Sequence, residues 1–331
     1  MAAKLRIGIV GLGTMGRHHL RVLHAMDEVE VVGVADPLGP GSGRRVDAHV
    51  VHALDELLDL GLDACVVASP TELHEEMGLQ LAHAEVHTLI EKPLADTVAG
   101  GKRLVEAFAR AGVVGCVGHI ERYNAAMVSL HQRLADHELG SVYQVTTSRQ
   151  GPFPDRIRDV GVVKDLGTHD LDLTAWAVGS PYKSISAEVT RRAGREHEDL
   201  LIAVGTLRDQ TLTNHLVNWL SPVKERRVVV TGERGALCAD MLTADLTFYT
   251  NGKVRAEWDE LSHFRGVSEG DVVRYALSKP EPLWAELVQF CAAARGEVAD
   301  IVSCEAALQA LVVAEAALRS AREGRTVVVE S

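Results

Sequence analysis

The 331-residue sequence predicts a doubly wound α/β domain on a parallel sheet, followed by a domain built on an antiparallel sheet. Three observations carry this expectation. A glycine-rich turn at 11–16 separates a strand-like from a helix-like segment. Strand and helix patterns alternate up to residue 117. From 142 to 249 strand-like segments follow one another with short turns.

Leu5 to Val10 is a short apolar strand, and Met15 to Ala25 reads as a helix opening at the third glycine of Gly11-Leu12-Gly13-Thr14-Met15-Gly16. Gly11 permits the tight turn, Gly13 lets backbone approach a pyrophosphate, and Gly16 allows close helix packing. The helix N-terminus adds N–H groups and a positive dipole end, so Gly11, Gly13, Thr14, Met15 and Gly16 are the candidate phosphate contacts. A second strand, Val29 to Ala35, ends in Asp36, where an acid that binds the adenosine ribose belongs. Its carboxylate accepts from ribose hydroxyls and repels a 2′-phosphate, so the expected cofactor is NAD. Arg44 and Arg45, beyond the stretch 39–43, keep NADP as the lesser alternative.

Further strands are read at Asp63–Ala68, His87–Ile90 and Val113–Val117, with helices at Glu72–Ala84 and Thr97–Ala111 between them. In a parallel sheet of this kind ligands bind at the carboxyl ends of the strands. That draws attention to Ser69-Pro70-Thr71, to Glu91-Lys92-Pro93 after the fourth strand, and to Gly118-His119. Lys92 is the candidate for holding a substrate oxygen, since an ammonium stabilises developing alkoxide charge. In the second half, strands are expected at Val142–Ser148, Ser184–Thr190, Leu200–Leu207, Thr211–Leu220, Arg227–Val230 and Leu246–Tyr249, and a helix at Ser303–Arg322. Asp165, His169 and Asp172, spaced i, i+4 and i+7, would form one polar stripe on an otherwise apolar helix. Two carboxylates on a buried stripe are costly without a purpose. Histidine is the side chain suited to general-base work near neutral pH, so His169 is read as the proton acceptor, with Asp165 as its orienting partner or as an acceptor for a substrate hydroxyl.

Composition narrows the function. A net charge of −12 disfavours nucleic-acid and membrane surfaces as partners. The longest apolar runs fall short of the ~20 residues that span a bilayer, and no secretory or transit segment is read. The five cysteines lack CxxC spacing and read as reduced core thiols of a cytoplasmic protein. The fifteen histidines show no HExxH or grouped Cys/His pattern, so no metal is expected.

Taken together, the glycine turn, Asp36, Ser69-Pro70-Thr71-Glu72-Leu73-His74, Glu91-Lys92-Pro93 and Asp165-x-x-x-His169 resemble the glucose-fructose oxidoreductase, inositol dehydrogenase and MocA (Gfo/Idh/MocA) family over almost the whole chain. The resemblance implies a Rossmann NAD-binding domain at 1–119. It also implies a substrate-binding and oligomerisation domain at 120–331, with an open, mainly antiparallel sheet whose exposed face builds a homodimer or homotetramer. It adds Ser69, Pro70, His74, Glu91 and Lys92 to the cofactor-binding residues. The segments from Gly118 to Asn124 and from Gly151 to Gly161 look most like dehydrogenases acting at C3 of UDP-N-acetylglucosamine and related nucleotide sugars. On that resemblance Arg122, Tyr123 and Asn124 join Lys92, Asp165 and His169 as substrate-binding candidates. Arg149, Arg156 and Arg158 are either ligands of a substrate diphosphate or solvated loop charges. Three alternatives stay open: an inositol or free-sugar dehydrogenase, a nucleotide-sugar 3-ketoreductase, and a non-catalytic NAD-sensing regulator. A sensor needs the glycine turn but not Lys92, Asp165 and His169.

Overall fold

The structure is a computed structural model that describes residues 3–39, 47–153, 160–194, 196–252 and 270–330. Contacts divide the chain into two units, Met1–Ile120 with Glu281–Leu311, and Glu121–Pro280 with Val312–Ser331. The boundary expected from the sequence places all of 120–331 in the second domain. In the structure 281–311 belongs instead with the first unit, because Leu283, Leu287, Phe290 and Cys291 pack into its core.

In the first unit β1 (Leu5–Val10), β2 (Val29–Ala35), β3 (Val50–Val51), β4 (Ala64–Val67), β5 (His87–Glu91) and β6 (Gly115–Gly118) form one sheet in the order β3-β2-β1-β4-β5-β6. Every pairing is parallel. Helices α1 (Thr14–His24), α2 (Leu54–Leu58), α3 (His74–His83) and α4 (Val98–Ala111) alternate with the strands. The strands read as continuous apolar runs because a parallel sheet is covered on both faces: Ile7, Ile9 and Val66 are fully buried. Strand order reverses between β1 and β4, which places the ligand crevice at their carboxyl ends. Glu91-Lys92-Pro93 follows the fifth strand rather than the fourth, since the two-residue β3 is too short to leave an alternating pattern. Thr97 caps α4 by accepting from the Gly100 N–H at 3.1 Å, and Gly112 ends that helix at φ 70°. From the other end of the chain, α7 (Pro282–Ala294) and the first part of α8 (Cys304–Glu323) complete this unit.

The second unit carries a nine-stranded sheet in the order β14-β13-β12-β11-β7-β10-β9-β8-β15. Its strands are β7 (Val142–Pro152), β8 (Tyr182–Thr190), β9 (Leu200–Leu207), β10 (Leu212–Asn218), β11 (Leu220–Gly232), β12 (Gly235–Asp240), β13 (Asp245–Thr250), β14 (Val272–Arg274) and β15 (Val327–Val328). The β7–β10 pairing is parallel and the others are antiparallel, so the sheet is mixed at its centre. Helices α5 (Ala125–Ala135) and α6 (Thr168–Val178) belong to this unit, as does α8 from Val312 onward. Alternation is strict on β9: Leu201 and Ala203 are buried while Ile202 and Val204 are about half exposed.

A buried polar group interrupts the inward face of this sheet. The His215 ring has Tyr182 Oη 2.8 Å from Nε2 and Thr147 Oγ1 2.8 Å from Nδ1. Burial pushes its pKa down to about 3, so the folded ring is neutral. Unfolded histidine titrates near ~6.5, so between ~6.5 and the folded value the unfolded chain binds the extra proton and stability rises with pH. The melting temperature is therefore expected to fall as pH drops from neutral toward 4. His215→Gln should flatten that dependence, and an equally steep acid profile in the variant would count against this account.

Candidate active site

The glycine turn joins β1 to α1. Gly11 has φ +93°, and a Cβ there would lie 2.6 Å from the Ala68 carbonyl oxygen; a Cβ on Gly16 would lie 1.9 Å from the Gly11 oxygen. Both glycines are demanded by the protein itself. Gly13 differs: a Cβ there would meet nothing within 4 Å. No packing within the protein demands a glycine there, and the space in front of it suits an approaching pyrophosphate. No side chain caps the N-terminus of α1, so its first N–H groups, at Thr14, Met15 and Gly16, are presented as an anion site. Asp36, half-buried at the end of β2, accepts from the Leu12 N–H at 2.7 Å and the Leu38 N–H at 2.9 Å, which fixes its carboxylate beside the turn. The glycine turn and Asp36 thus fit a dinucleotide. Arg44 and Arg45 lie outside the described residues.

The loops after β4 and β5 are tied together. His74, 1% exposed at the start of α3, places Nε2 3.0 Å from the Ser69 carbonyl oxygen and Nδ1 2.8 Å from that of Pro93. Pro70 is exposed, and the Lys92–Pro93 peptide is cis. Glu91 is buried and lies 2.7 Å from Nε2 of the fully buried His19 on α1. Burial alone would raise the Glu91 carboxyl. The hydrogen bond with His19, and the charges of His19, Lys92 and His74, outweigh it and hold the group below the usual carboxylate range. Glu286 on α7 is its opposite: burial and the charge of Glu91 push its carboxyl well above the ordinary value, and neither oxygen has a hydrogen-bond partner among the described residues. Sequence reasoning misses His19 and Glu286. The place of His19 on α1, facing the strand ends, is the signal that could have found it.

In the second unit Val163–Gly167 winds as a π-helical turn before α6. Asp165 sits in the wider turn and His169 in the first turn of α6; both are buried. The single α-helical stripe expected from the spacing is therefore interrupted after Asp165, and such π turns recur at functional sites. Asp172 pairs with Arg122, whose Nε and Nη2 donate to the two carboxylate oxygens at 2.8 and 2.5 Å while the guanidinium stacks 5.5 Å from the Trp176 ring centre. Tyr123 is half-buried. Asn124 caps α5 through Oδ1 and donates to the Met241 carbonyl at 3.0 Å, so its side chain is engaged within the fold rather than presented to a substrate.

Arg149 corrects an expectation as well. It is 2% exposed on the inward face of β7, with Nε donating to Asp170 at 2.6 Å and Nη1 to Glu121 at 2.7 Å. Burial alone would lower its pKa, but the charges and hydrogen bonds of those two carboxylates more than offset this. A guanidinium already neutralised on two sides is a structural ion pair, not a diphosphate ligand. Asp170 and Glu121 escape a sequence reading because their partner is brought in by sheet topology, not by sequence spacing. Arg156 and Arg158 lie outside the described residues.

Among the described residues no helix is long and apolar enough to cross a membrane, and no group of three or more His, Cys, Asp or Glu could hold a metal ion. The five cysteines are unpaired thiols.

Two family profiles cover the chain. Residues 5–157 match the oxidoreductase family, NAD-binding Rossmann fold, and residues 131–329 match the oxidoreductase family, C-terminal alpha/beta domain, both of the Gfo/Idh/MocA group. The chain belongs to the Gfo/Idh/MocA oxidoreductase family. Within it, the chain is 29% identical to inositol 2-dehydrogenase 2 of Saccharopolyspora erythraea over 59% of this chain and 60% of that protein, so the match spans less than two thirds of that relative. It is 28% identical to UDP-N-acetylglucosamine 3-dehydrogenase of Acidithiobacillus ferrooxidans over 75% of this chain and 78% of that protein. The crystal structure of GenD2 from gentamicin A biosynthesis, in complex with NAD, superimposes with a TM-score of 0.84 at 27% identity, covering 100% of this chain and 98% of that one. As a member of the family, the chain carries the NAD-binding Rossmann domain that its glycine turn and Asp36 describe.

Proposed function

We propose that this family member is an NAD-dependent dehydrogenase that oxidises a ring secondary alcohol to a ketone, with C3 of a UDP-N-acetylhexosamine as its favoured substrate. The observation that carries the redox reading is the glycine turn with open space in front of Gly13, on a sheet whose fifth strand delivers Lys92 at its carboxyl end. Bound NAD supplies the hydride acceptor. The Lys92 ammonium donates a hydrogen bond to the reacting oxygen and stabilises its developing negative charge. His169 takes the alcohol proton, and Asp165 orients it. Tyr123 lines the substrate, and Arg122 does so with its guanidinium held by Asp172. Ser69, Pro70, His74 and Glu91 shape the cofactor loops.

The nucleotide-sugar preference is supported by the long match to the Acidithiobacillus ferrooxidans enzyme. The sequestration of Arg149 favours a second reading, an inositol or free-sugar dehydrogenase, which needs no diphosphate ligand. A panel of UDP-sugars, dTDP-sugars, myo-inositol and free hexoses, followed by NADH absorbance, decides between them. Turnover is expected on UDP-N-acetylglucosamine and, because a carboxylate at Asp36 would repel a 2′-phosphate, with NAD in preference to NADP. Turnover of myo-inositol but no UDP-sugar would put the second reading first. Binding of NAD with no turnover on any alcohol would leave a regulator.

The outward face of the second sheet exposes Ile202, Val204, Leu212, Tyr249 and Val272, an apolar surface that we propose is closed by further copies of the chain. Light scattering should give a dimer or tetramer, and Ile202→Glu should shift it toward monomer. A monomeric parent would dismiss the assignment.

A further inference from the structure

The segment Glu91-Lys92-Pro93 is gripped on both sides of its lysine by buried histidines from two different helices. We propose that His19 and His74 are positioning residues that fix Lys92, His19 through the Glu91 carboxylate and His74 through the Pro93 carbonyl. The proposal rests on the role given to Lys92 above.

Neither contact is explained by the needs of the helix that supplies it. His19 projects from α1 to place Nε2 2.7 Å from Glu91, and both side chains are almost wholly withdrawn from solvent. The carboxyl group of Glu91 lies across the end of β6, where a Cβ on Gly118 would come within 3.2 Å of it, so its position is defined by packing as well as by His19. A buried carboxylate is costly unless hydrogen-bonded. Here His19 meets that need and holds the Glu91 carboxyl below the usual range, whereas burial and the charge of Glu91 push nearby Glu286 upward. On the other side His74 bridges the Ser69 and Pro93 carbonyl oxygens and so joins the loop after β4 to the loop after β5. A neutral ring donates to one of these oxygens and a protonated ring to both. Between the two anchors lies Lys92, itself half-buried and close enough to Glu91 and His74 for its charge to act on each. With the Glu91 side chain and the Pro93 carbonyl both held, Lys92 leaves the chain between two fixed neighbours. Such pre-setting matters because a displacement of about 1 Å at a reacting centre can lower rate ~10²-fold.

Two measurements test this on the full chain. Acylation of Lys92 by acetic anhydride, read by peptide mass spectrometry with exposed Lys102 as internal reference, reports its placement without any substrate. The relative rate should change at least threefold in His19→Leu and His74→Leu. His19→Gln, which retains an N–H near the Nε2 position, should stay near the parent. An unchanged rate in both leucine variants overturns the proposal.

The second measurement is turnover of UDP-N-acetylglucosamine in a double-mutant cycle with Lys92→Ala. Each leucine variant should lose on the order of 10-fold in kcat when Lys92 is present, and nothing further when it is absent, because both act through the same ammonium. The Kd for NAD should move little in the His19→Leu variant. Equal losses in both backgrounds would mean general damage to the fold and sink the positioning role. If Lys92→Ala itself leaves turnover intact, the function assigned to Lys92 is what fails, and the acylation rates still decide whether the two histidines anchor it.

Discussion

Replacing Lys92 with alanine is expected to lower kcat by ~10²-fold or more, the scale of losing an electrostatic stabiliser of a developing oxyanion. His169→Ala should cost a similar factor, that of a general base. The two losses should be separable by pH. Without His169 the basic limb of turnover should rise steadily, as solvent hydroxide takes over the proton. Without Lys92 the limb should keep its shape at a lower plateau. Affinity for NAD, measured by calorimetry, should change little in either variant, since neither residue is part of the glycine turn. Near-normal turnover in a folded Lys92→Ala protein would contradict the assignment. So would loss of NAD binding in step with loss of turnover.

The glycine turn gives the second large effect, and it splits two roles that a motif alone merges. Gly16→Ala forces a methyl group to 1.9 Å from the Gly11 carbonyl oxygen, so the β1–α1 connection must move. It should destabilise the chain by roughly 1–3 kcal/mol and abolish NAD binding at the same time. Gly13→Ala meets no protein atom within 4 Å. Its thermal stability without cofactor should drop by no more than about 1 kcal/mol, the difference between glycine and alanine at a helix N-cap. Its affinity for NAD should nonetheless fall by more than ~10-fold, because the added methyl group occupies space that the pyrophosphate requires. Thermal melts with and without NAD read both effects. A Gly13→Ala protein that NAD still stabilises as strongly as the parent would mean that the cofactor does not pass over this turn.

The first sheet is legible in the sequence because its strands are buried on both faces and their helices keep a regular period. β1, β2 and β9 have the boundaries that the sequence implies, while α1 is shifted by one residue at each end and α4 differs by one residue at its start. What escapes is what burial pattern cannot encode. β3 is two residues long, α2 five, and β12 begins with Gly235-Ala236, where little side chain marks an inward face. Helices α5 and α7 flank the strand run of 142–249 and are not read from the sequence, although the apolar spacing of Leu283, Leu287 and Phe290 marks one face of α7. Among the candidate residues, Gly11, Gly13, Gly16, Asp36, His74, Glu91 and Lys92 come together at the carboxyl edge of one sheet, since each lies at a strand end or in the turn that follows. Arg149 misleads for a physical reason. A cation near a glycine- and proline-rich segment resembles a phosphate ligand until the sheet brings Asp170 and Glu121 against it.

The first unit draws Leu283, Leu287, Phe290 and Cys291 from far down the chain into a core otherwise made before residue 121. A nascent polypeptide cannot finish this unit when its first 120 residues leave the ribosome. Until residue 291 has been synthesised, the apolar surface awaiting α7 stays uncovered while all but the last strand of the second sheet is being made. The segment 1–120 is thus no portable cassette: grafted onto another protein without α7, it would carry an open seam. Exchange of substrate domains between relatives would have to cut at three places, near 120, near 281 and near 311, and keep the returning helix with the half to which it belongs.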